Sequence, residues 1–137
     1  FIFTARFKWE VKGNSGIMFR AGAREGKRGE QVFGYQSEMD DKERAWTGGL
    51  FGESMGGWKY PLSKPEGHAR ARAAIQDHAA WNRVTIMAQG SVIKTWVNGV
   101  PCAHLDNEER SEGFFGLQVH SGGKSTILWK DIRLKDL

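Results

Sequence analysis

Cysteine is nearly absent: Cys102 is the only one in 137 residues. A lone thiol builds neither an intrachain disulfide framework nor a cysteine-rich zinc site. Following Pro101 in a predicted strand, it reads as a small buried side chain rather than a nucleophile. Proline is scarce, at three, which removes collagen-like and Pro-rich linker architectures. No apolar run approaches the roughly 18 residues that a membrane helix needs, so no membrane span is expected in this segment. No signal peptide is visible. The chain opens at Phe1, without Met, and runs at once into a strand pattern; more chain is therefore expected upstream.

Charge of one sign is also in short supply. The formal net charge is only +4. Arg20, Arg24, Lys27 and Arg28 form one basic group and Lys124, Lys130, Arg133 and Lys135 another, both interrupted by acidic or strand residues. Nucleic-acid binding would call for a dense basic stripe with a recognisable motif, so no nucleic acid is expected as partner. His68, His78, His104 and His120 lack metal-ligand spacing. There is no Asp-rich calcium loop, no phosphate-binding Gly loop and no Gly-x-Ser-x-Gly elbow.

Glycine and aromatic residues are abundant: 18 glycines, with 12% aromatic and 39% hydrophobic residues overall. Glycine stands at nearly twice its usual share of about 7%. That mixture suits short strands joined by tight turns. Phe1 to Val11 alternates, with Phe1, Phe3, Ala5, Phe7, Trp9 and Val11 on one side; period two over this length is a strand with one buried face. Gly16–Arg20 is a second strand, with Ile17 and Phe19 opposite Met18 and Arg20. Ala21 to Gln31, Gly-rich and charged, reads as a loop. Val32–Asp40 is a third strand, with Phe33, Tyr35, Ser37 and Met39 on one face and Gln36, Glu38 and Asp40 on the other. Asp41 to Trp58 reads as loop with a short strand at Leu50-Phe51, and Pro61–Gly67 as a turn region.

His68–Ala80 is predicted helical from the spacing of Ala71, Ala74, Ile75 and Ala79. Arg83–Gln89 and Val92–Asn98 form a hairpin around Gly90, and Asn98-Gly99, which tolerates positive φ at both positions, turns the chain into Val100–Leu105. Asp106–Glu112 is a charged loop. Phe114–His120 follows, with Phe115, Leu117 and Val119 opposing Gln118 and His120. In the last strand, Thr126–Leu134, Ile127 and Trp129 are out of phase with Ile132 and Leu134, which a bulge near Lys130 would reconcile. The expected fold is an all-β, antiparallel β-sandwich in a single domain.

If the polar faces of these strands share one sheet, Arg20, Gln36, Glu38, Asp40, Gln118 and His120 lie together. Carboxylates and an imidazole can move protons, a guanidinium can meet developing negative charge, and amides can orient a ligand. The same residues could equally be a solvated face with a cross-strand ion pair between Arg20 and Glu38 or Asp40. Trp96 and Asn98 share a face of their strand, and Trp96 could stack on a sugar ring or serve as core. Trp58, in a Gly-rich loop, could stack likewise.

The run from Trp81-Asn82-Arg83-Val84 to Thr95-Trp96-Val97-Asn98-Gly99-Val100 resembles the central hairpin of concanavalin A-like lectin/glucanase sandwiches, a jelly-roll architecture. Asn14–Arg20, Gly34–Asp40, Gly116–His120 and the closing Trp129–Leu134 narrow the likeness. In order and spacing they are similar to the 3-keto-disaccharide hydrolase family. Members of that family usually begin some tens of residues earlier, so N-terminal strands are expected to be missing, supplied by an upstream segment or a larger parent protein.

The resemblance implies a carbohydrate substrate, a 3-keto-glycoside, cleaved by elimination and hydration. It also implies a periplasmic or extracellular setting in a bacterial envelope. His120 or Glu38 would be the base and the other the proton donor, with Arg20 stabilising the oxyanion or orienting Asp40. Gln36 and Gln118 would hydrogen-bond sugar hydroxyls and Trp96 would stack. A divalent cation held by Glu38, Asp40 or His120 is an alternative way of assisting elimination. Competing readings are a non-catalytic carbohydrate-binding module and a structural or adhesion domain, since a sandwich does not fix function.

Overall fold

A computed structural model describes residues 1–27 and 29–137; Arg28, counted above in a basic group, lies outside the described residues. Two five-stranded antiparallel sheets pack face to face. The first runs, edge to edge, β10 (Thr126–Lys135), β1 (Ile2–Val11), β6 (Asn82–Gln89), β7 (Val92–Val97) and β8 (Val100–Asp106). The second runs β5 (Gly57–Tyr60), β4 (Leu50–Glu53), β3 (Gly29–Met39), β2 (Ser15–Gly26) and β9 (Phe114–Leu117). This is the expected all-β sandwich.

The alternating residues of the sequence fill the space between the sheets. Phe3, Ala5, Phe7 and Trp9 of β1 meet Ile17 and Phe19 of β2 and Tyr35 and Met39 of β3, with Val84, Ile86 and Ile93 beside them. Phe115 stacks on Phe3 with ring centroids 5.0 Å apart, tying β9 to the opposite sheet. The phase conflict in the last strand resolves as expected. Thr4 pairs with Arg133 but Arg6 pairs with Lys130, so Asp131 and Ile132 together face Ala5. Asp131 takes φ 52°, the bulge that brings Leu134 back into register with Phe3. Asn98 and Gly99 take φ 51° and 82°, the paired left-handed geometry that a two-residue hairpin requires.

Four expectations need correction. Ala21–Gln31 is not a loop: β2 and β3 continue as a long hairpin, pairing Ala23 with Val32 and Arg24 with Gln31. Both faces of that extension are largely solvated, so no apolar alternation marks it in the sequence. A further short strand, β5, lies inside the predicted Asp41–Trp58 loop and runs on to Tyr60. The helix α1 (Pro65–Arg72) begins earlier and ends sooner than predicted, with Pro65 in its first turn and Ala73 as its C-cap. Beyond it, Asp77 Oδ1 accepts from Ala79 N at 2.8 Å, a local turn that replaces the helix. Finally, β9 ends at Leu117, and Val119 is 93% exposed; of the apolar trio expected there, Phe115 packs against the core.

Candidate functional site

The outer face of the second sheet carries the site. Gln36 and Glu38 project from β3 on the side opposite Tyr35, Ser37 and Met39, as alternation dictates. Gly16 of β2 lies opposite Glu38. A Cβ on Gly16 would sit 2.4 Å from Gln36 Cδ, so the missing side chain is what lets Gln36 lie across the strand. Gln118 is pinned just past β9: its N–H donates to Gly16 O at 2.8 Å and its carbonyl accepts from Ser15 Oγ at 2.7 Å. Around Gln36, Glu38 and Gln118, the residues Asn14, Lys42, Arg44, Phe51, Glu53, Trp58 and His120 complete a cavity of about 260 Å³.

Glu38 sits at its centre and is buried. Its Oε2 accepts from Gln36 Nε2 at 3.0 Å, its Oε1 accepts from Asn14 Nδ2, and Arg44 Nη2 approaches Oε1 at 3.8 Å. Burial raises the carboxyl above its ordinary value; the bonds from Asn14 and Gln36 oppose that shift, Asp40 adds to it, and Arg44 opposes it. The net direction is up. Glu38 is therefore a stronger base than a solvated glutamate, held in one orientation by its donors.

Arg44 is fixed from several sides. Its Nε donates to Asp40 Oδ2 at 2.6 Å, and the guanidinium carbon lies 4.6 Å from the Trp46 ring centre and 5.3 Å from that of Trp58. Trp58 in turn meets Phe51 edge-on, 5.3 Å between centroids. His120 is exposed at the rim, with Nδ1 2.7 Å from Ser121 O. A carbonyl only accepts, so Nδ1 carries the proton and Nε2 is left as the exchangeable nitrogen.

Of the residues singled out from sequence, Gln36, Glu38, Gln118 and His120 come together, and so does Trp58. Arg20, Asp40, Trp96 and Asn98 do not join them. Arg20 occupies a bulge: Phe19 pairs with Tyr35 and Gly22 with Phe33, so Arg20 and Ala21 together face Gly34. With φ 48° at Arg20, its guanidinium donates to Gly90 O at 2.8 Å and Arg110 O at 3.0 Å, bridging to the turn between β6 and β7. Asp40 is buried behind the cavity wall. Its carboxylate accepts from Arg44 and from the backbone N–H of Lys42, at 3.3 Å, so it holds two residues of the cavity in place, and its charge adds to the upward shift of Glu38.

Trp96 pairs with Thr85 and Pro101 on the outer face of the other sheet. Asn98 ties its turn to the start of β6 and to the segment after α1: Nδ2 donates to Ala74 O and Asn82 Oδ1, and Oδ1 accepts from Arg83 N. Cys102 is buried, and burial pushes its thiol up to about 12, an inert side chain. Glu38, Asp40 and His120, weighed above as cation ligands, do not converge: among the described residues no three His, Cys, Asp or Glu side chains gather as a cage. No helix among the described residues is long and apolar enough to cross a membrane.

Sequence reasoning missed Asn14, Lys42 and Arg44. All three sit in loops, where no periodicity marks a facing. The one available signal was Arg44 four residues after Asp40, a spacing suited to a local ion pair across a tight turn.

Residues 1–135 match the 3-keto-alpha-glucoside-1,2-lyase-like domain. The chain belongs to that family. No protein of curated function matches it. Among solved structures it is similar to a protein from Parabacteroides distasonis described as a candidate glycosyl hydrolase, with TM-score 0.62 and 16% identity over 99% of this chain and 77% of that one. It is also similar to the carbohydrate-binding module CBM66 from Bacillus subtilis, with TM-score 0.58 and 16% identity over 96% of this chain and 72% of that one. At such identity the two structures establish the shared sandwich, and the 3-keto-alpha-glucoside-1,2-lyase-like family supplies the connection to carbohydrate.

Proposed function

We propose that the protein cleaves 3-keto-glycosides by elimination followed by hydration, on the outer face of the second sheet. The observation that carries this reading is Glu38, lifted by burial and oriented by Asn14 and Gln36, in one small cavity with Arg44 and His120. A ketone at sugar carbon 3 acidifies the hydrogen on carbon 2. Glu38 takes that proton, and the electron pair moves onto the ketone oxygen as an enolate. The cations of Arg44 and Lys42 line the same cavity and are assigned to meet that charge. The enolate re-forms the ketone and expels the substituent at carbon 1; the leaving oxygen takes a proton from Nε2 of protonated His120.

The product is an unsaturated ketone across carbons 1 and 2. Water then adds at carbon 1 and gives its proton to the now neutral His120, while Glu38 returns its proton to carbon 2. Atoms balance as a net hydrolysis and both residues are restored. Gln36 and Gln118 bond ring hydroxyls, and Trp58 and Phe51 supply the apolar wall against which a sugar face packs. The route does not use the two-carboxylate pair of ordinary glycosidases.

The test is to incubate the protein with 4-nitrophenyl 3-keto-glucoside and with the unoxidised glucoside and follow nitrophenol. Turnover of the keto form alone, lost by a hundredfold or more in Glu38→Gln, is expected. Equal turnover of both would overturn elimination. Binding of sugar without turnover would favour a carbohydrate-binding role, the reading suggested by the second structural neighbour.

A further inference from the structure

A second, larger cavity of about 800 Å³ adjoins the first on the same face. The two are walls of one groove, because Gln118 and Glu53 line both. Their chemistry differs sharply. The end around Glu38 is polar and charged. The other end is floored by Met18, Val32, Phe114 and the bare backbone of Gly116, with Leu117 beside them, and is walled on its far side by Glu30 and Gln31 of the β2–β3 hairpin.

Val32, Phe114 and Leu117 are 36%, 45% and 42% exposed. Three large apolar side chains thus face solvent within one concavity, an arrangement that ordinarily marks a binding surface. The polar cavity, at about 260 Å³, falls just below the roughly 300–1,000 Å³ usual for drug-sized ligands, while its neighbour falls within that range.

We infer that the apolar end is the subsite for the leaving group, and that this group is an apolar, flat aglycone rather than a second sugar. The inference rests on the proposed cleavage reading, which places the sugar ring at Glu38 and so directs the substituent at carbon 1 along the groove. A second sugar would bring a ring of hydroxyls over Met18, Val32 and Phe114, none of which offers it a side-chain donor or acceptor, and would find its polar partners at the margin alone, in Lys27, Glu30, Gln31, Glu53 and Gln118. An aromatic aglycone loses little there and gains the burial of its own faces. Gln118, at the seam, is placed to reach the glycosidic oxygen.

Two variants with opposite designs test this. Val32→Ser/Phe114→Ser removes apolar surface from half-exposed positions. Gly116→Leu fills the cavity instead: a Cβ at Gly116 meets Met18 Cβ at 3.8 Å, an ordinary contact, so the added chain projects into open space. For each, kcat/KM is measured on 4-nitrophenyl and on methyl 3-keto-glucoside. The aryl-to-methyl ratio is expected to fall about tenfold relative to wild type in both variants, a change of about 1.4 kcal/mol. An unchanged ratio in both overturns the subsite.

In parallel, 4-nitrophenol is titrated into the intact protein while the methyl resonance of Met18 is followed by NMR. Saturable movement of that resonance, weakened in both variants, supports the subsite even where neither glycoside is turned over. Such a result would separate failure of the cleavage reading from failure of this one. A Met18 signal that stays still to millimolar nitrophenol counts against the inference whatever the kinetics show.

Discussion

Replacing Arg20 with Ala should damage the fold and spare the chemistry. Arg20 is buried at the sandwich end, and its two nitrogens hold the carbonyls of Gly90 and Arg110 at 2.8 and 3.0 Å. A hydrogen bond from a charged group contributes about 1.5–3 kcal/mol. Two bonds from one guanidinium are not independent, so the two together are set at about 2–4 kcal/mol. Unfolding entropy of about 2.1 cal/mol/K per residue converts each kcal/mol into about 3.5 °C for a chain of this length. Arg20→Ala should therefore lower Tm by about 7–14 °C. Arg20→Lys, which can reach only one carbonyl well, should fall about half as far.

Both variants, assayed at least 15 °C below their own midpoints, should keep the proposed cleavage of a 3-keto-glycoside within about threefold of wild type, since Arg20 does not line the cavity around Glu38. Calorimetry and a nitrophenol assay on the same preparations suffice. A loss of a hundredfold in kcat with Tm unmoved would refute the placement of Arg20 and return it to the oxyanion role that the family resemblance implied.

Glu38→Gln should be more stable than wild type at neutral pH, and the gap should close in acid. The folded-state pKa of Glu38 is raised above its ordinary 4.5, so the native state binds more protons than the unfolded chain between the two values. Stability therefore falls as pH rises through that window, and thermal melts of both proteins from pH 3 to 8 would expose it; a gap that widens toward acid refutes the shift. Asp40→Asn should lower kcat about tenfold with little change in KM by loosening Arg44, and a matched rise in KM alone would show that Arg44 only binds substrate. Cys102 should resist thiol reagents at pH 8 in the folded protein and react fully in denaturant, since its thiol is pushed up to about 12; rapid labelling of the native form would contradict its burial.

Much of the sandwich was legible because period-two alternation is a direct imprint of one buried face. The β1 run, the Asn98-Gly99 turn and even the kink at Asp131 could be read without coordinates. Half of the candidate site was legible for the same reason, since Gln36 and Glu38 must point away from Tyr35 and Met39. Arg20 failed on a single residue. One extra position in the bulge before Gly22 turns its side chain off the outer face, and nothing in Gly16–Arg20 announces it. Trp96 failed differently: alternation says which side of a strand a residue takes, not which sheet the strand joins. Asn14 and Arg44 lie in loops whose shape is set by Glu38 and Asp40 themselves, so only the folded chain brings them in.

The vacancy at Gly16 has a wider consequence. Polarity at the centre of the cavity depends on a residue that contributes no functional group, because Gln36 fills the space where its side chain would be. Even an alanine there would displace the amide and strip Glu38 of one of its donors. A search for activity determinants confined to acids, bases and amides would pass over this position, although the smallest substitution available, one methyl group, should reset the proton affinity of the central carboxyl.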